Sequence, residues 1–202
     1  MAPKNAVKAA KEASARRLAN IISTQYDMPS MIGSIQVVHA KDLKPSQKES
    51  IWALFEENMY EFYKDSLFGW DPPTKRKELF SRLSRYILVY RNDTANLLAF
   101  TMFRFELDQG EKLLYCYELQ VSKCYQNQGL GRKLLSELTK LCEAFRMEKI
   151  MLTVLKKNAR ASAFYKTSGF VVDPSSPSYV ESDEEVDDAT EDVDYDILSK
   201  SI

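Results

Sequence analysis

Between an apolar run ending at Val121 and another resuming at Leu134 lies the polar segment Ser122-Lys123-Cys124-Tyr125-Gln126-Asn127-Gln128-Gly129-Leu130-Gly131-Arg132-Lys133. A strand that passes through such a turn into an amphipathic helix makes a site for an anion. Several N–H groups at a helix start lack intrahelical partners, the positive end of the helix dipole lies there, and glycine lets a phosphate approach the main chain. An ordinary turn with two glycines has the same local pattern, so the strand, loop and helix context carries the reading. The segment is not a nucleotide triphosphate loop, because Gly131-Arg132-Lys133 replaces Gly-Lys-Ser/Thr, nor a dinucleotide loop, because position 134 is Leu.

The strand-like run leading into this loop, Lys112–Val121, contains Tyr117 and Glu118. A carboxylate beside a bound anion is a candidate general base, although a Glu on an exposed strand face reads identically. Strict alternation sends Tyr117 and Glu118 to opposite faces, so both can serve one site only if the strand bulges here. Tyr165, by its position, reads as a buried aromatic of a helix.

These residues need elements to hold them. Ala6, Ala10, Ala13, Leu18, Ile21 and Ile22 predict a basic helix from Lys4 to about Tyr26, within an N-terminal unit of residues 1–30 ahead of a domain over 31–202. A strand at Ile35–Ala40, a helix from Pro45, and a helix from Asp71-Pro72-Pro73 to about Leu83 follow. Three runs, Arg85–Arg91, Leu97–Leu107 and Lys112–Val121, separated by turn residues, predict an antiparallel meander. After Gly129 the order is helix to Phe145, strand Ile150–Leu155, helix Ala159–Thr167, strand Gly169–Val172. A loop over 173–193, acidic from Glu181, and a last strand at the sheet edge, Asp194–Ser199, complete the chain. The expected class is α+β, with a mixed, mostly antiparallel sheet flanked by helices.

The chain has 202 residues, of which 45% are hydrophobic, enough for one core, and a net charge of −1 indicates neither nucleic acid nor membrane as a partner. No stretch approaches the roughly 18 apolar residues of a membrane span. Cys116, Cys124 and Cys142 are unpaired in spacing and joined only by His39, so no metal site and no disulfide framework is expected. Lys4, Lys8, Lys11, Arg16 and Arg17 lead the chain, and a basic, Ser/Ala-rich start leaves a mitochondrial transit segment open beside a cytoplasmic and nuclear location.

Gln126-x-x-Gly129-x-Gly131, followed by Asn158-x-x-Ala161-x-x-Phe164-Tyr165-x-x-x-Gly169-Phe170, resembles the GCN5-related N-acetyltransferase superfamily. Within it the chain is similar to the N-terminal acetyltransferases directed at histone tails. That likeness rests on Tyr63 with Phe68-Gly69-Trp70, Phe103-Arg104-Phe105, Leu114-Tyr115-Cys116-Tyr117-Glu118, Met151-Leu152-Thr153-Val154, Ser175-Ser176-Pro177-Ser178 and Tyr195-Asp196-Ile197-Leu198-Ser199. The resemblance implies that superfamily's fold with an extra N-terminal helix, acetyl-coenzyme A as cofactor, and catalysis by Glu118, Tyr117 and Tyr165. It implies cofactor contacts from Leu119, Gln120, Val121, Gln126, Asn127, Gln128, Gly129, Leu130, Gly131, Arg132 and Asn158. A basic tail beginning Ser-Gly-Arg-Gly would meet Tyr63, Phe68, Trp70, Glu106, Asp108, Tyr117, Ser176 and Tyr195. A monomer, with the ribosome as a further partner, is the expectation. Lysine side chains, other protein termini, and a non-catalytic tail or acyl-coenzyme A reader stay open as alternatives.

Overall fold

The computed structural model describes residues 3–28, 31–94, 96–179 and 193–202, so the acidic segment expected over Glu181–Asp192 lies outside the described residues. The predicted N-terminal helix is two helices, α1 (Pro3–Lys11) and α2 (Ala15–Ala19). Ala13 turns into the core, and the Ser14 hydroxyl accepts from the Arg17 N–H at 3.2 Å, starting a new helix. Helix was also expected as far as Tyr26, but Gln25–Met28 forms a strand, β1, paired antiparallel with β2 (Met31–His39). Pairing with a neighbour that is distant in the helical pattern overrides local preference.

Helix α3 (Pro45–Tyr63) is followed by α4 (Pro72–Leu79), whose N-cap Asp71 accepts from the Thr74 N–H at 3.1 Å. α4 ends four residues before the expected Leu83, since the chain turns through Ser81 and Ser84 to enter the sheet. The predicted meander is present as β3 (Arg85–Arg91), β4 (Leu97–Asp108) and β5 (Glu111–Val121). Then come α5 (Leu130–Phe145), β6 (Lys149–Leu155), α6 (Ala159–Thr167), the two-residue β7 (Val171–Val172) and β8 (Tyr195–Ser201).

The sheet order is β1-β2-β3-β4-β5-β6-β8-β7, with β5 and β6 parallel. The last strand is not at the edge as expected but sits between β6 and β7. Leu198 is fully buried there, while the short β7, with Val171 exposed, takes the edge, where a short strand offers the smallest template for unwanted pairing.

Alternation along β4 divides the core in two. Phe103 and Phe105 pack with α1, α2, α5 and Tyr165 of α6, whereas Phe100 and Met102 pack with α3 and α4 through Ile51, Phe55 and Leu79. The parallel pair β5 and β6 is joined only over Leu113–Tyr115 and Lys149–Met151. Beyond that, β5 stays paired with β4 and β6 with β8. The two strands therefore part company and open a wedge in the middle of the sheet.

Candidate active site

The wedge leads into a cavity of about 330 Å³ lined by Glu118, Tyr117, Leu119, Gln120, Asn158 and Tyr165, with Tyr63, Phe68 and Trp70 on its outer wall. A register shift makes this possible. Met102 faces Glu118 and Phe103 faces Cys116, so Tyr117 has no opposite number in β4. Before this bulge Leu114 and Cys116 point toward the α5 face; after it Leu119 does, which turns both Tyr117 and Glu118 toward α3 and α4. The bulge that a shared role for Tyr117 and Glu118 would need is present, at Tyr117.

Glu118 is 5% exposed, and both its oxygens are held. Lys75 Nζ lies 2.8 Å from Oε1, and Gln120 donates to Oε2 at 2.8 Å. Lys75 also meets Glu78 at 2.7 Å and donates to the Tyr63 hydroxyl at 3.3 Å. Burial works against its charge, but Glu118, Tyr63 and Glu78 outweigh it, and the Lys75 pKa stands above the ordinary lysine value. Burial, with the Glu118 charge, pushes the Tyr63 phenol up to about 12.

The Tyr117 hydroxyl donates to Glu106 Oε1 at 2.9 Å under the Arg104 guanidinium, and burial together with that carboxylate raises it to about 12. Tyr165 is likewise raised well above the ordinary tyrosine value, first by burial and then by Cys116 and Glu118. Both phenols keep their protons at neutral pH, and Tyr117 donates its own to Glu106.

At the mouth of the wedge, Asn127 (φ 62°) and Gly129 (φ 85°) are left-handed, and α5 begins at Leu130. No protein acceptor meets the N–H groups of residues 127–132 among the described residues, which leaves them available to an anion at the start of α5. Ser122 N–H points to Leu98 of β4, and by alternation the N–H groups of Val121 and Leu119 face the opening. This cradle fits the pyrophosphate and thioester of an acyl-coenzyme A. Gln126 donates to the Val121 carbonyl at 3.0 Å, Gln128 to that of Cys124 at 3.2 Å, Leu130 is buried beneath, and Arg132 is exposed.

The glycines answer to neighbours as well as to an anion. A Cβ on Gly129 would lie 2.4 Å from the Tyr26 hydroxyl, which donates to the Gln128 carbonyl at 3.0 Å. One on Gly131 would lie 3.0 Å from the Phe164 ring of α6. Asn158, which caps α6 by accepting from Ala161 N–H at 3.1 Å, thus belongs to the same assembly as the loop.

Other expected residues stand apart from the cavity wall. Glu106 sits behind Tyr117, Asp108 is exposed at the end of β4, and Tyr195 packs on Phe68 with ring centroids 5.2 Å apart. Ser176 is buried, accepting from the Ile197 N–H and paired with Ser178, so its hydroxyl is engaged in holding the 173–179 turns on β8. Sequence reasoning missed Lys75, Tyr26, and Asn58, whose amide donates to Gln120 Oε1 and the Val121 carbonyl. Nothing local sets Lys75 apart from Arg76 and Lys77; only the fold brings it to Glu118.

A splayed sheet with free main-chain donors at its mouth and a held carboxylate inside suits a protein that brings an anionic acyl carrier alongside a buried carboxylate. Residues 50–170 match the Acetyltransferase (GNAT) family. The chain belongs to that family, and acetyl-coenzyme A is its acyl donor. Solved structures share the fold. The PaiA N-acetyltransferase from Thermoplasma acidophilum in complex with coenzyme A has a TM-score of 0.55 at 16% identity, covering 84% of this chain and 99% of that one. The ribosomal-protein-S18-alanine N-acetyltransferase from Escherichia coli has 0.55 at 21%, covering 83% and 94%. Arabidopsis thaliana NAA60 in complex with a bisubstrate analogue has 0.56 at 15%, covering 84% and 98%.

Proposed function

We propose that the chain acetylates the free α-amino group of protein termini beginning Ser-Gly-Arg-Gly, the histone H4 type of tail, as N-alpha-acetyltransferase D does. The observation that carries this is the roof over the cavity. The segment between α3 and α4 crosses it and is tied down on the far side: Leu67 N–H donates to Asp194 at 2.8 Å, Asp65 pairs with Lys157 at 2.9 Å, and Phe68 leans on Tyr195. A pocket closed in this way and walled by Tyr63, Phe68 and Trp70 suits the small first residues of a chain end. Glu106, next to Tyr117, supplies negative charge for an arginine further along, and exposed Asp108 adds to it.

Acetyl-coenzyme A supplies a thioester carbonyl to the site. The Leu119 and Val121 N–H groups polarise an oxygen placed in the wedge, Glu118 takes the proton of the attacking amine directly or through water, and Tyr165 holds a proton available to the leaving sulfur. An α-amine, with a pKa of about 8, is neutral in roughly a tenth of molecules near pH 7, against fewer than about one in a thousand for lysine. A terminal amine therefore asks less of the base. Action on basic histone tails in cytoplasm and nucleus, as a monomer and also at the ribosome, belongs to the same proposal.

Mass spectrometry of Ser-Gly-Arg-Gly peptides with free and blocked termini tests it. The free terminus is acetylated and the blocked one is not, and Glu118→Gln lowers turnover by about 10² to 10⁴. Acetylation of the blocked peptide on lysine would replace the acceptor, and no turnover on any peptide would favour a binding module.

A further inference from the structure

Lys75 has no place in the catalytic steps just described, yet it is one of the most enclosed cations of the protein. Its side chain is 12% exposed and lines the cavity, and Nζ lies between Glu118 and Glu78, near the faces of Phe55 and Tyr63 at 5.2 and 5.3 Å. It arrives there on α4, a short helix held by the Asp71 cap and by Leu79 in the core. Two contacts, Lys75 on Oε1 and Gln120 on Oε2, fix the plane of the Glu118 carboxylate and leave each oxygen a free lone pair.

We propose that Lys75 is the positioning residue of the base: its ammonium, paired with Oε1 at 2.8 Å, aims the buried Glu118 carboxylate into the wedge. The inference rests on the reading of Glu118 as base. Among the described residues, the titratable and charged groups around Glu118 are few. They are Lys75 and Glu78 from α4, Tyr63 from α3, Tyr86 from β3, Cys116 and Tyr117 from β5 and Tyr165 from α6, with Arg104 of β4 beyond the Tyr117 ring. Lys75 is the cation in contact, so without it the buried carboxylate faces phenols, a thiol and a second carboxylate, and protonation becomes favourable at higher pH.

The test is the pH profile of kcat/KM for a Ser-Gly-Arg-Gly peptide, divided by the fraction of peptide amine that is neutral. Thermal melting and coenzyme A affinity establish that each variant is folded. In Lys75→Met the acid limb moves up by about one pH unit or more, so that the rate on that limb falls about tenfold or more and recovers as pH rises above it, and KM changes less than about threefold. Lys75→Arg keeps the acid limb near the wild-type position. Because Lys75→Met leaves a buried carboxylate unpaired, Lys75→Gln, which retains a donor, carries the same test if the first variant does not fold. Adding Lys75→Met to Glu118→Gln lowers the residual rate less than about twofold, since the residue acts through the carboxylate. A rate reduced by the same factor at every pH, or an equal further loss in the Glu118→Gln background, overturns the proposal. Full activity of Glu118→Gln alone removes the base itself. An inactive Glu118→Gln beside an unshifted Lys75→Met profile removes only Lys75.

Discussion

Gly129 and Gly131 stand in the same loop for different reasons. Gly129 has a left-handed φ of 85° and also faces the Tyr26 hydroxyl, so Gly129→Ala meets both backbone strain of about 1–2 kcal/mol and a clash. Tyr26→Phe removes the clashing oxygen but not the strain. We expect the double variant to regain part of the coenzyme A affinity lost in Gly129→Ala, measured by calorimetry; equal losses in the single and double variants would exclude Tyr26 from the loop's support. Gly131 is not left-handed, and its constraint is the Phe164 ring 3.0 Å away, so Gly131→Ala shifts α6 rather than straining the loop. This contact brings the two sequence motifs together although α5 and β6 lie between them in the chain.

Among the elements, the roof segment between α3 and α4 carries the proposed selection of the peptide terminus. Its Asp65–Lys157 pair is exposed and contributes little to stability, whereas the Asp194 carboxylate on Leu67 N–H has one oxygen fully enclosed. Lys157→Ala should leave both melting temperature and peptide KM close to wild type. Asp194→Ala should raise peptide KM several-fold with kcat held within about twofold, because the wall loosens while the base stays in place. An unchanged KM in Asp194→Ala would show that the roof does not need this tie. The N-cap of α6 behaves differently: Asn158→Ala costs about 1 kcal/mol and also disturbs the Phe164 contact with the loop.

For the molecule as a whole, two buried carboxylates tie remote segments together. Glu137 of α5 is fully buried, accepts from Ser23 N–H at 3.0 Å and pairs with Lys133 and Lys140. Asp173 pairs with Lys149 and accepts from Ser175. Burial pushes both carboxyls up, but hydrogen bonds outweigh it: from Lys133, Ser23 and Lys140 at Glu137, and from Ser175, Ser199 and Lys149 at Asp173. Both are held below their usual values. Their stabilisation is therefore complete above the unfolded-state values near pH 4 and is lost as pH falls through the lowered folded values. Melting temperature should drop steeply below about pH 4 in the wild type and less steeply in Glu137→Gln or Asp173→Asn. The N-terminal helices belong to the same core. Leu18 is fully buried, and Leu18→Ala is expected to cost about 2–5 kcal/mol, read by denaturant unfolding.

Residue order alone determined much of this protein: the strand-to-helix loop, the meander with its turn residues, the Asp71-capped helix, and the bulge at Tyr117 that a shared role with Glu118 would need. Each of these depends on neighbours within one turn or one strand, where spacing and propensity act directly. Tertiary structure decided the rest. The break at Ala13–Ser14, β1, and the insertion of β8 between β6 and β7 follow from pairing and burial across long separations, which no local pattern encodes. The partnership of Glu118 with Lys75 has the same origin, since a lysine in the charged run Lys75-Arg76-Lys77 becomes distinct only when a helix from one layer is laid against a bulged strand of another.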